Sequence, residues 1–129
     1  MPIPVELPPT FTRALDDAPL IGAWICSGSQ VAAEIVASAG FDWLLIDGEH
    51  SPYSLETIAE LLRATDAYGP TRMVRVPVND TALIKQYLDV GAQNLMVPMV
   101  DTAAEAEKAV AAMYYPPPVS YTHLTLPTK

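Results

Sequence analysis

An apolar run, Trp43-Leu44-Leu45-Ile46, leads directly into Asp47-Gly48-Glu49-His50, so two carboxylates and an imidazole stand within four residues of a buried segment's end. Asp47, Glu49 and His50 together can take up and release a proton near neutral pH. A carboxylate that accepts a hydrogen bond from one ring nitrogen fixes the tautomer, leaving the other nitrogen to hold a proton or a water. A single histidine is more often solvated or structural than catalytic. Two neighbouring acids and a strand-to-loop exit move His50 toward chemistry.

Arg75 is the second candidate. It lies among Met73, Val74 and Val76, and strand alternation puts Met73 and Arg75 on one face with Val74 and Val76 on the other. A guanidinium in that setting is costly unless paired. Two readings stay open: a salt bridge to a carboxylate of a neighbouring strand, or a bidentate clamp on a substrate carboxylate or enolate. Asp89 sits just before Gly91 at the end of a helix, where an acid is unfavourable; a specific partner or plain solvation explains it equally well. Trp24 reads as core ahead of ligand wall, and Met96 and Met99 read as core. Glu56, Glu60, Glu105 and Glu107 read as solvated helix faces. Asp47, Glu49 and His50 are too close in sequence to make a full metal shell, and a hard cation would need carboxylates from further along the chain.

The elements that must position these groups alternate strand and helix. Leu20 to Cys26 is the expected first strand. Ser29 caps a helix from Gln30 to Ser38 whose apolar positions are Val31, Ile35 and Val36, with Gly40 ending it. Trp43 to Asp47 is the second strand; four large apolar residues in a row suit a strand of a parallel sheet covered on both faces. Ser54 opens the next helix, without a capping box because Thr57 stands where Glu or Gln is needed. Leu55, Ile58, Leu61 and Leu62 are its buried stripe, and Tyr68-Gly69-Pro70 stops it. Met73 to Val76 is the third strand. Asn79 or Asp80 caps a third helix with Leu83, Ile84, Tyr87 and Leu88 inward. Leu95 to Val100 is the fourth strand, and Asp101 or Thr102 caps a last helix running to Met113. Such alternation means parallel strands joined by right-handed crossovers. The sheet is either open and doubly wound or the first half of a (β/α)8 barrel, which when complete needs about 250 residues. Ligands bind at the C-terminal ends of the strands in both. No glycine-rich phosphate loop follows the first strand, which weakens a dinucleotide-binding reading.

The chain has 129 residues, half of them hydrophobic, enough for one domain with a core. Its formal charge of −8 argues against nucleic acid as a partner. A single cysteine, Cys26, excludes an internal disulfide framework and a four-cysteine zinc site. No leader-like pattern opens the sequence and no apolar stretch is long enough to span a membrane, so a cytoplasmic location is expected. Asn79-Asp80-Thr81 fits a glycosylation sequon, but its expected role is to start a helix.

Beyond Tyr115 the character changes. Pro116-Pro117-Pro118 breaks the pattern, and Val119 to Lys129 continues no repeat and contains no acid. That string resembles the translation of a sequencing adapter. The chain is therefore divided into residues 1–117, a βα array, and residues 118–129, a non-native tail in which His123 has no role.

Gly22-Ala23-Trp24, the run Ala39 to Pro52 that contains Asp47-Gly48-Glu49-His50-Ser51-Pro52, Val74-Arg75-Val76-Pro77, Ile84 to Gln93 and Leu95-Met96-Val97-Pro98-Met99-Val100 together resemble the HpcH/HpaI family, metal-dependent (class II) pyruvate aldolases of the 2,4-dihydroxyhept-2-ene-1,7-dioate aldolase type. The resemblance spans nearly all of residues 18 to 117. It implies a (β/α)8 barrel that cleaves a 4-hydroxy-2-oxo acid into pyruvate and an aldehyde. It implies that His50 moves the proton on the substrate hydroxyl, that Asp47 and Asp89 orient and polarise His50, that Arg75 holds the pyruvate oxygens and steadies the enolate, and that Trp24 lines the pocket. It also implies a divalent metal, Mg2+, Mn2+ or Co2+, acting as a Lewis acid, and a hexamer of the complete protein. The family's metal-binding Glu and Asp lie on later strands, so no metal ligand is assigned here and the fragment is expected to be inactive. Two other readings remain. One is a non-catalytic βα fragment that only self-associates through its open sheet edges. The other, weaker, is a phosphate-binding barrel isomerase.

Overall fold

A computed structural model describes residues 19–114. The division at residue 117 and the nature of residues 118–129 concern positions outside that span. Among the described residues four strands alternate with four helices: β1 (Gly22–Ile25), α1 (Gln30–Ala37), β2 (Trp43–Asp47), α2 (Leu55–Ala64), β3 (Thr71–Arg75), α3 (Thr81–Asp89), β4 (Leu95–Met96) and α4 (Ala103–Ala112). All strands are parallel and their spatial order follows their sequence order, β1-β2-β3-β4. A doubly wound sheet reverses direction at a switch point; this one advances steadily, as a barrel does.

One face of the sheet is built for packing. Ile25, Ile46 and Val74 lie side by side in register and are buried with Leu44 and Val76. Onto them pack Ala33 and Ala37 of α1, Ile58, Leu61 and Leu62 of α2, Ile84 and Tyr87 of α3, and Ala109 and Ala112 of α4. All four helices therefore cover the same face, which leaves the other face for the barrel interior. There Trp24, Leu45 and Met73 form one row, and Asp47, Arg75 and Met96 form the next row toward the strand C-termini.

Most helix starts obey their sequence signals. Ser29, Ser54, Asp80 and Thr102 each accept a hydrogen bond from a backbone N–H of the following turn. Thr102 and Glu105 complete a capping box, so Glu105 is a cap and not merely a solvated face. Gly91, at φ 110°, supplies the left-handed turn after α3.

Several boundaries and faces differ from expectation. α1 buries Ala33 and Ala37, while Val31 and Ile35 are each 64 % exposed. Small side chains four apart let this helix sit close on the sheet, which turns the bulkier stripe outward. α2 ends at Ala64, before Tyr68-Gly69-Pro70, where the Thr65 hydroxyl donates to the Leu61 carbonyl. β3 starts two residues early, at Thr71, because its backbone already bonds to Asp42. β4 stops at Met96: Pro98 has no N–H to offer a ladder and Met99 adopts φ 50°. Met96 and Met99 are consequently exposed, not core. No helix among the described residues is long and apolar enough to cross a membrane.

Candidate functional site

β2 and β3 set the centre of the site. Asp47 and Arg75 are register partners at the C-terminal ends of these adjacent parallel strands, so their side chains leave the same face side by side. Arg75 Nε donates to Asp47 Oδ1 at 2.9 Å and Nη2 donates to Oδ2 at 2.8 Å, a two-point fork. A third donor, Nη1, lies 2.9 Å from Glu49 Oε2. The Arg75 guanidinium also stands 4.7 Å from the centroid of the Trp24 ring. Of the two readings open for Arg75, pairing with a neighbouring strand carboxylate is what the structure shows. A guanidinium has five N–H donors, so two remain beyond these three bonds.

Asp47 organises the loop that follows it. Its Oδ1 also accepts the backbone N–H groups of Glu49 at 3.0 Å and His50 at 3.2 Å. These donors hold its carboxyl at a pKa of about 2, with the Arg75 side-chain bond the largest cause and burial opposing it. Asp47 in turn holds the Arg75 pKa above its usual value. The Gly48 N–H donates to the Arg75 carbonyl at 2.9 Å and extends the strand pairing into the loop. Tyr87, from α3, brings its hydroxyl beneath Gly48.

His50 emerges from this loop with its side chain 73 % exposed. Its Nε2 is 3.7 Å from Glu49 Oε2, longer than a hydrogen bond. Asp47 therefore meets His50 at the backbone and not at the ring, and its carboxylate is spent on Arg75. Asp89 stands apart from this cluster within the chain. A helix that links parallel strands starts at their C-terminal rim and ends at their N-terminal rim, and α3, about 13 Å long, carries Asp89 in its last turn. There it lines a small cavity with Lys85, Leu88 and Ala112. Within one chain the structure does not bring Asp89 to His50.

Trp24 is 46 % exposed and not core. It stands on the inner face of β1 as a wall beside Arg75. Met96, 37 % exposed, is the register partner of Arg75 on the other side, so the guanidinium lies between an indole and a thioether. Sequence reasoning left Met96 and Tyr87 outside the site and gave Glu49 no separate role. The alternation that pairs Arg75 with Met73 could have signalled Met96 only with the β3–β4 register in hand.

A divalent metal fits these residues poorly. Among the described residues no group of three or more His, Cys, Asp or Glu is arranged to hold an ion. Both oxygens of Asp47 and the Oε2 of Glu49 already serve Arg75.

The HpcH/HpaI aldolase/citrate lyase family matches residues 20–121 of the chain. A hydroxypyruvate/pyruvate aldolase of Deinococcus radiodurans is 51 % identical over 121 residues, covering 91 % of this chain and 44 % of that protein. A 4-hydroxy-2-oxo-heptane-1,7-dioate aldolase of Salmonella arizonae is 54 % identical over 99 residues, 77 % of this chain and 38 % of that protein. The crystal structure of a family protein from Burkholderia cenocepacia superposes with a TM-score of 0.78 at 43 % identity, over 83 % of this chain and 43 % of the other. The chain spans under half the length of these relatives.

Proposed function

The chain belongs to the HpcH/HpaI aldolase/citrate lyase family, and on that premise we propose that it carries the pyruvate-binding part of a carbon–carbon lyase. The complete protein cleaves a 4-hydroxy-2-oxo acid to pyruvate and an aldehyde. The observation that carries this reading is Arg75, fixed by Asp47 and Glu49 at the strand C-terminal rim with two N–H donors to spare, and His50 exposed beside it. The spare donors suit a carboxylate or enolate oxygen. His50 takes the proton from the 4-hydroxyl. The C3–C4 bond then breaks, its electron pair passes into the enolate of pyruvate, and C3 is protonated on release. Trp24 and Met96 wall the guanidinium on either side.

With both acids ionised, Asp47, Glu49 and Arg75 carry one net negative charge, so an anionic oxo acid needs further positive charge to bind. That deficit supports the divalent metal, Mg2+, Mn2+ or Co2+, that the family resemblance implies. Its ligands are side chains outside the described residues, and this segment alone turns over no substrate. The complete protein is a cytoplasmic homo-oligomer, a hexamer by the same resemblance. A second reading, a segment that only self-associates, is favoured by the outer edges of β1 and β4, which no strand among the described residues pairs.

The test is pyruvate release from a series of 4-hydroxy-2-oxo acids by the full-length protein with each of the three metals. Turnover that Arg75→Ala abolishes supports the reading. No release from any acid with any metal overturns it.

A further inference from the structure

We propose that Glu49 is a positioning residue that locks the Arg75 guanidinium and the His50 imidazole into one unit, an inference that rests on the aldolase reading. A single oxygen, Oε2, lies 2.9 Å from Arg75 Nη1 and 3.7 Å from His50 Nε2. Among the described residues, Glu49 supplies the only carboxylate within 4 Å of that ring's nitrogens. Its side chain is 12 % exposed, against 73 % for His50, so the more sheltered acid steers the exposed imidazole. Glu49 is itself held from two directions. Its backbone N–H is tied to Asp47 Oδ1 and its carboxylate to Arg75.

Two consequences follow from the shared oxygen. Nη1 is pinned, which fixes the plane of the guanidinium and hence the direction of the two donors left for substrate. Asp47 alone bonds the opposite edge, Nε and Nη2, and would allow the fork to pivot on it. The ring of His50 is drawn by Nε2 toward the guanidinium, which leaves Nδ1 as the nitrogen free to meet the substrate hydroxyl. The 3.7 Å gap closes to a hydrogen bond when a ligand packs the loop, as such contacts tighten in the bound complex. Neither residue's sequence position requires this link; the bend over residues 48–51 puts the Glu49 side chain between the two.

The experiment compares Glu49→Gln and Glu49→Ala in the full-length protein, reading kcat and KM for the oxo acid separately, with a thermal melt to show folding. Gln keeps an oxygen acceptor for Nη1 and the same volume but no charge. It should leave KM within about threefold while kcat falls roughly tenfold or more, because the imidazole loses the charge that orients it. Ala removes both and should raise KM as well, lowering kcat/KM about 10²-fold, the scale of an ångström's misplacement. Equal effects of Gln and Ala, or wild-type constants in Gln, overturn the proposal. If Ala fails to fold, the Gln pair of constants decides alone. A wild-type protein without turnover overturns the aldolase reading and this inference with it, whereas an active wild type matched by Glu49→Gln overturns only the inference.

Discussion

Asp47 and Arg75 face each other across adjacent parallel strands at one register level and are joined by two hydrogen bonds, 2.9 and 2.8 Å long. The Asp47 side chain is buried at 4 % exposed, and that of Arg75 is partly buried at 17 %. Removing Asp47 leaves the guanidinium its Glu49 contact but takes away both bonds of the fork. Asp47→Ala is expected to destabilise the full-length protein by about 1–3 kcal/mol, read by urea unfolding. Asp47→Ala combined with Arg75→Met should cost less than the two single changes added together. Additive costs would mean that the two bonds contribute little.

The depressed Asp47 carboxyl sets an acid limit. Its folded pKa of about 2 lies below the ordinary 3.8, so its contribution is complete above the unfolded value and is lost as pH falls from about 4 through 2. The stake is about 2 kcal/mol. Unfolding free energy measured from pH 6 to pH 2 should therefore drop in that window, and in Arg75→Met the drop should be smaller. An equal drop in both proteins would assign the acid sensitivity to other groups.

Gly48 has no room for a side chain. A Cβ there would come within 2.6 Å of the Arg75 carbonyl oxygen and 2.8 Å of the Tyr87 hydroxyl. Gly48→Ala is expected to lower stability by about 1–3 kcal/mol and to cut turnover further, because the displaced strand end carries Arg75. Adding Tyr87→Phe removes one clash and leaves the backbone one, so rescue should be partial. Full rescue would show that the backbone contact is slack.

Chelation separates the fold from the chemistry. EDTA should abolish pyruvate release by the full-length protein, and added Mg2+, Mn2+ or Co2+ should restore it. The Asp47–Arg75 pair, whose donors and acceptors need no ion, should persist, so the acid limit described above should be the same with and without metal. Chelator-resistant turnover would count against the metal.

Trp24 supports Arg75 through its ring face. Trp24→Ala should raise KM by a few fold, matching the roughly 0.5–1 kcal/mol of an exposed cation–π contact, while Trp24→Phe keeps most of it. Identical constants for both variants would leave the ring as a mere spacer.

Where local chemistry decides structure, the sequence was legible. The bounds of β2 follow from its apolar run, and Ser29, Ser54, Asp80 and Thr102 cap the helices that their side chains suit. The exit of Asp47, Glu49 and His50 from a buried strand was equally clear. What depends on which neighbour arrives was not. Val31 and Ile35 keep a helical period, yet the sheet accepts the slimmer alanine face. Trp24 could be read as core until the β1–β2 register placed it inside the barrel beside Arg75. Where Asp89 stands follows from topology and not from local chemistry: six residues before β4, it ends α3 and lies at the far rim of its own chain.

The Gly48 bond to the Arg75 carbonyl and the Asp47 fork join residues 27 and 28 positions apart in the chain. A ribosome that has delivered the chain only as far as His50 has thus made every residue of the Asp-Gly-Glu-His run but not the Arg75 that its two carboxylates hold. The loop acquires its form when the third strand docks, and a folding lesion anywhere in α2, the connector that delivers that strand, would present itself as a lost reaction before it showed as a lost fold.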